Sequence, residues 1–206
     1  MVNLKEMLSK DYFVNYCSQI KIYFLLALIL LIVGFVIGWA FNGVLKPYLD
    51  EIIQDMLNSS PSNVIDFQSL FFNNVKVNIL IILGGILFSI FSVYNLILNG
   101  ALMGYVVSMV PVVKAVLFMV PHGIFEIPAI LLAGSTAFMI THVIVRCIRG
   151  IFSKKLTLKG EFSKSRNLIE TIVVSIILVV ILLVIAAFIE ANITEGLGKF
   201  ILSFIS

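Results

Sequence analysis

The sequence predicts an all-α fold: a polytopic transmembrane helical bundle of about five spans, with the N-terminus cytoplasmic and the C-terminus extracytoplasmic. Three observations predict it. First, 61% of the 206 residues are hydrophobic and only 12% are charged, against about 25% charged in an ordinary soluble domain, and the mean hydropathy is +1.14. Second, the charges vanish in blocks, with none between Lys21 and Lys46, Lys76 and Lys114, Glu126 and Arg146, or Glu170 and Glu190. Third, the basic residues gather beside some of these gaps and not others.

Each gap is long enough to cross a hydrocarbon core about 30 Å thick, which takes about 20 helical residues. The gap at residues 77–113 holds one full span and much of another, and Asn99-Gly100 offers the break between them. The spans are then Ile22 to Phe41, Val77 to Leu98, Ala101 to Val120, Ile124 to Ile148 and Thr171 to Ile189. Pro111 and Lys114 interrupt the third, which allows a broken or re-entrant segment there. The first apolar run outlasts the roughly 7 to 15 residues of a signal-peptide core and lacks an A-x-A-like site, so it is expected to stay as a signal anchor.

Orientation follows from the cations, which stay cytoplasmic when they flank spans. Lys5, Lys10 and Lys21 precede the first span, and Arg146, Arg149, Lys154, Lys155, Lys159, Lys164 and Arg166 lie between the fourth and fifth. The intervening loop carries Asp50, Glu51, Asp55 and Asp66 against Lys46 and Lys76, as an exterior loop should. The chain reads as one integral membrane domain, 1–206, in a multi-pass arrangement in the cell membrane. It divides into a cytoplasmic amphipathic segment at 1–21, an extracytoplasmic loop at 42–76 and a basic cytoplasmic loop at 149–170. Leu49 to Leu57 repeats an amphipathic spacing, and Asn58-Ser59-Ser60-Pro61-Ser62 reads as a turn. The formal net charge of +3 reflects membrane orientation, and no aromatic-studded basic surface argues for nucleic acid. Cys17 and Cys147 fall on the predicted reducing side and are assigned no role.

Chemistry must then lie within or beside the bilayer. In the second span and just beyond it, Asn78, Gly85, Ser92 and Asn99 recur every seventh residue, within a sector of roughly 80° at 100° per residue. The third carries Gly100, Gly104 and Ser108, a small-xxx-small pattern that lets a neighbouring backbone come close. The fourth carries His122, Glu126, Ala129, Ala133 and Thr136 on one face. Three seams imply that the second, third and fourth helices face one another. Gly85, Ser92, Asn99, Gly100, Gly104, Ala129 and Ala133 form the packing seam. Ionisable residues within a membrane are costly and are functional candidates by default. The topology places Asn74, Asn78, Lys114, His122, Gly123, Glu126 and Glu190 toward the outer face as a polar cluster. Pro121-His122-Gly123 reads as the outer turn before the fourth span, and Lys114 is within reach of Glu126 if the outer ends pack closely.

Known catalytic patterns are missing. There is no H-E-x-x-H, no Ser-x-x-Lys, no Gly-x-Ser-x-Gly and no phosphate-binding glycine loop. His122 and Glu126 supply two metal ligands at most, and a third would have to come from Glu190, His142 or an Asn; His142 lies on roughly the opposite face. The expectation is therefore no enzyme, no metal and no cofactor.

Phe72-Asn73-Asn74-Val75-Lys76-Val77-Asn78, Gly84-Gly85, Asn99-Gly100, Gly104, His122-Gly123-Ile124-Phe125-Glu126 with Ala129, and Ile189-Glu190-Ala191 with Thr194 resemble, in order and spacing, the stage II sporulation protein M family. The resemblance runs from about Phe67 to Thr194, and the H-G-x-x-E element is its most specific part. It implies a five-pass membrane protein. For the founding sporulation members it implies a membrane-anchored complex whose partners degrade peptidoglycan during engulfment of the forespore. The family is wider, with archaeal members that lack that wall. Carried over residue by residue, its signature falls on Asn74, Asn78, Asn99, Gly100, Gly104, His122, Gly123, Glu126 and Glu190.

The functional expectation is a non-enzymatic membrane scaffold or assembly component. Its partners would be membrane lipids, membrane or extracytoplasmic proteins and, as a homo-oligomer, a second copy, with no nucleic acid. A transporter or transporter subunit, with the polar residues lining an intramembrane pathway, is the alternative. An intramembrane metal-dependent enzyme is the second alternative.

Overall fold

A computed structural model describes residues 9–58, 67–152 and 157–205. Every element among them is helical. In order they are α1 (Lys10–Ala40), α2 (Asn42–Asn58), α3 (Phe67–Gly84) with a 3₁₀ turn at Gly85–Leu87, α4 (Ile90–Met109), α5 (Val112–Phe152), α6 (Leu158–Lys164), α7 (Arg166–Ile189), a π-helical segment (Glu190–Thr194) and α8 (Glu195–Ile205). Five of them, α1, α3, α4, α5 and α7 with its π extension, are long and apolar enough to cross a membrane.

The span count agrees with the sequence, but several boundaries do not. Asn99-Gly100 lies inside α4, and the reversal between the second and third spans falls at Phe88 and Ser89, both with left-handed backbone (φ 53 and 60). Pro111 immediately precedes the next helix, so Lys114 belongs to the fourth span and no re-entrant third span forms. Pro121, His122 and Gly123 are not a turn, because α5 runs unbroken past Pro121 and Pro128. Water does not compete for backbone groups in hydrocarbon, so continuing a helix through proline leaves fewer groups unpaired than opening a turn. The 41 residues of α5 extend about 60 Å, twice the hydrocarbon thickness. At the start of the chain, Ser9 caps α1 by accepting a bond from the Tyr12 amide, and α1 then continues unbroken to Ala40. The stretch 10–21 is therefore continuous with the first span as one helix; Leu4, Met7 and Leu8 lie outside the described residues. Asn58 ends α2, and Ser59, Ser60, Pro61 and Ser62 lie outside the described residues.

Hydrophobic side chains cover all sides of the spans, so packing is read from what is buried. The core joins Ala27 and Leu31 of α1, Ile81 of α3, Leu96 of α4, Ala129, Ile130, Leu131 and Ala133 of α5, and Val179 and Leu183 of α7. All five spans meet there, and α5 is central, touching each of the others. Ile22, Leu25, Ile29, Ile79, Leu83, Val173, Ile177 and Val180 face outward, as lipid-facing positions should.

The α1–α4 contact is the closest in the bundle. A Cβ on Gly34 or Gly38 would collide with the backbone of Ile97 or Ala101, and one on Gly100 or Gly104 with that of Leu31 or Phe35. The register rises together on both helices, so α1 and α4 run parallel, and the two glycine pairs interlock at four-residue spacing. Gly100 and Gly104 thus serve the first span, not the second or fourth. The reversal at Phe88-Ser89 is tied to α5. Ser89 Oγ lies 2.6 Å from Thr141 Oγ1, and the Thr141 hydroxyl donates to the Gly85 carbonyl at 2.7 Å.

One end of the bundle gathers the start of α1, the end of α5, α6 and the start of α7. Tyr16 Oη meets Ser175 Oγ at 2.9 Å, Thr171 donates to Gln19 at 3.1 Å, and Tyr23 pairs with His142 Nδ1. The described cations Lys10, Lys21, Arg146, Arg149, Lys159, Lys164 and Arg166 belong to these elements. At the opposite end Tyr105 of α4 donates to Asp50 of α2 at 2.6 Å, and Gly198 of α8 rests on the Phe118 ring of α5.

Candidate functional site

Just beyond the apolar core, toward the end that carries α2 and α8, the helices change character together. On α5 the face that buries Ala129, Ile130 and Ala133 continues one turn outward to Glu126 and another to His122. On α3 the position one turn before Ile81 is Asn78, 2% exposed, and one turn before that is Asn74. On α7, Leu183, Ala186 and Ala187 are buried, and the next turn brings Glu190. The π segment that begins at Glu190 touches both α3 and α5. Asn78, Glu126 and Glu190 are thus successive positions on three adjoining helices, and they form a polar layer over the core.

Within that layer the polar groups are only partly paired. His122 Nε2 stands 3.9 Å from Glu126 Oε2, with the two side chains 14% and 20% exposed. That is ion-pair range but too long for a hydrogen bond. Glu190 opens the π segment that packs against α5, the helix that carries Glu126. Asn78 donates from Nδ2 to the Asn74 carbonyl at 2.8 Å, which leaves its Oδ1 buried without a partner, as is His122 Nδ1. Such groups cost free energy in a bilayer unless something completes them. The π segment adds its own signature, since Thr194 donates to the Ile189 carbonyl five residues back, and single π turns inside α-helices often mark working sites.

Two members of the expected cluster stand apart. Lys114 is exposed and precedes Glu126 on the same continuous helix, about 18 Å along the axis, so the Lys114–Glu126 ion pair does not form. Gly123 is helical, and a Cβ there would meet nothing nearer than Ile127 Cδ1 at 3.9 Å, so no packing in this chain requires glycine. The seven-residue seam is divided by the Phe88-Ser89 reversal. Gly85 lies against Ala137 of α5, Ser92 donates to the Ile81 carbonyl at 2.7 Å, and Asn99 is half-buried, bonding back to Asn95. Ala129 and Ala133 are fully buried. His142 is engaged by Tyr23, far from His122. Among the described residues no three His, Cys, Asp or Glu side chains come together as a metal set.

Gly34 and Gly38, Ser89 with Thr141, and the π turn at Glu190 escaped the sequence reading. The glycines left a trace, a small-xxx-small spacing inside the first span, and Ser89 falls close to the line of the seven-residue seam, but its partner Thr141 does not show in the sequence.

The comparisons with known proteins agree with this architecture. The sequence matches the stage II sporulation protein M family over residues 24–195. The chain belongs to that family. It is also 31% identical over 191 residues to an uncharacterized protein of Methanocaldococcus jannaschii, covering 89% of this chain and 99% of that relative. No solved structure matches. The match opens within α1 and closes one residue past the π segment, so it takes in part of α1, the other four spans and the whole polar layer. It supports a multi-pass membrane protein of this family and gives no sign of enzymatic activity.

Proposed function

We propose that the chain is a non-enzymatic membrane scaffold that recruits partner proteins through the layer of His122, Glu126, Asn78 and Glu190. The observation that carries this reading is the pair of buried, unpartnered atoms Asn78 Oδ1 and His122 Nδ1, set in an otherwise closely packed bundle. Both atoms are enclosed by this chain, so a partner's donor and acceptor would satisfy them by entering the layer as the helices part, and the gain is largest where water is scarce. The close backbone contact of α1 with α4 fixes the register of those two spans. Scaffolding needs no nucleophile and no metal set. On this reading the basic end is cytoplasmic and the polar layer faces the exterior.

The test is a pull-down from native membranes with wild type, Glu126→Gln and His122→Ala in parallel. A protein that co-purifies with wild type and is lost from both variants, at unchanged thermal stability, is the expected result. Retention of every interaction by both variants would remove the assignment.

The two carboxylates favour one other reading, since Glu126 and Glu190 lie within spans whose elements pack against each other. A transporter would use them, with His122, as a titratable pathway. Proton or solute flux in proteoliposomes that Glu126→Gln abolishes would favour transport over scaffolding.

A further inference from the structure

At the basic end, α6 and the start of α7 border an open groove of about 440 Å³ lined by Lys159, Phe162, Ser163, Arg166, Ile169 and Glu170. Lys159, Phe162, Ser163 and Arg166 follow at three- and four-residue steps, so they line one face as α6 passes through Ser165 into α7. Arg166 Nε is held by Glu170 at 3.2 Å, yet its side chain remains 74% exposed. Lys159 has no acidic partner within ion-pair distance among the described residues, and Lys164 is turned to Glu161 at 2.8 Å. The floor is apolar, with Phe162 56% exposed. From Arg166 the same face of α7 runs on through Ile169, Val173, Ile177 and Val180, and the last three are exposed to the surroundings.

We propose that this groove binds an anionic phospholipid, with the phosphate between Lys159 and Arg166 and an acyl chain along Val173, Ile177 and Val180. Three features converge on a lipid rather than a soluble anion. The cations sit where a span of the bundle begins, where headgroups would lie. The cavity is of headgroup size and lined mainly by hydrocarbon, and it opens onto a lipid-facing stripe on the same helix. Basic pockets beside transmembrane helices recognise acidic headgroups through this combination. The proposal is independent of the scaffold reading, because it uses the opposite end of the bundle.

The test is native mass spectrometry of the full-length protein in neutral detergent, titrated with phosphatidylglycerol and with phosphatidylcholine of the same acyl chains. Phosphatidylglycerol is expected to be retained at least about tenfold more strongly, a ratio in keeping with two cations near an acidic headgroup. The Lys159→Gln/Arg166→Gln double variant should bring it down to the phosphatidylcholine level. A Lys46→Gln/Lys76→Gln double variant, at the other end, should leave retention unchanged. Equal retention of the two lipids by wild type would overturn the proposal, as would equal losses in the two double variants. Displacement of phosphatidylglycerol by an equal concentration of glycerol phosphate would also overturn it, since a site that takes the anion alone is not a lipid site.

Discussion

A Cβ added to Gly38 would fall on the Ala101 carbonyl of the neighbouring parallel helix. The backbone of α1 therefore touches that of α4 directly, and no side chain can give way. In hydrocarbon this closeness is what joins helices, because lipid chains are as apolar as leucine and dispersion must supply the attraction.

Gly38→Leu is accordingly expected to cost about 3 kcal/mol or more, in the upper range for overpacking a rigid contact. Gly38→Ala should cost less, and Gly43→Ala, in the first turn of α2 where nothing lies within 4 Å, should be neutral or slightly stabilising. Thermal unfolding in detergent checks the order. Equal melting temperatures for Gly38→Leu and wild type would show that α1 and α4 do not meet at this register.

The reversal between α3 and α4 depends on Ser89, whose left-handed backbone is costly for a side chain with a Cβ and is held in place from outside. The Ser89 hydroxyl meets Thr141 at 2.6 Å and the Ala137 carbonyl at 3.3 Å. Ser89→Val removes both contacts and adds β-branching where φ is positive, so it should cost roughly 2–4 kcal/mol. Ser89→Gly loses the same contacts but relieves the backbone, and should cost markedly less. If the two variants melt together, the left-handed geometry is not present.

This turn also explains what the sequence could and could not convey. Charges are excluded so strongly from hydrocarbon that four charge-free gaps sufficed to reveal five spans. Breaks are governed by different forces. Asn99-Gly100 and Pro121-His122-Gly123 are turn signals learned from proteins in water, and inside a bilayer both were carried through unbroken helices. The real reversal uses Phe88 and Ser89, neither glycine nor proline, and it is stabilised by Thr141, 52 residues away. No local pattern announces such a contact. The polar layer was legible for the opposite reason, since Glu126, His122 and Glu190 stand out wherever charge is rare. The error over Lys114 followed from the misplaced turn, which would have folded it back beside Glu126.

Glu161, at the basic end outside the spans, offers a pH signature. Its hydrogen bond from Lys164, with Arg146 and Arg149 nearby, holds its carboxyl below the ordinary carboxylate range. The carboxyl therefore ionises at lower pH in the folded protein than in the unfolded chain. The stability this adds is complete above the ordinary value of about 4.3 and drains away as pH falls through that value toward the lower folded one. Glu161→Gln should thus lower the melting temperature at pH 7 and flatten its decline between about pH 5 and pH 3. An unchanged slope in that interval would mean that the Lys164 contact does not bias the ionisation.

Gly123 separates stability from function. It lies in the middle of α5, where an added Cβ would touch only Ile127 Cδ1 at 3.9 Å, so alanine there should raise stability by up to about 1 kcal/mol through helix propensity alone. Glycine nevertheless stands between His122 and the outward-facing Ile124, beside the unpartnered Nδ1. If a partner backbone approaches the polar layer across that gap, a methyl group would obstruct it while leaving this chain intact. Gly123→Ala should therefore melt at or above the wild-type temperature and yet lose the protein that co-purifies with wild type. A variant that is more stable and still retains the partner would move the docking surface away from Gly123 and leave Glu126 and Glu190 to define it. Reduced stability would instead mean that a contact inside the bundle requires glycine here, contrary to the open space beside it.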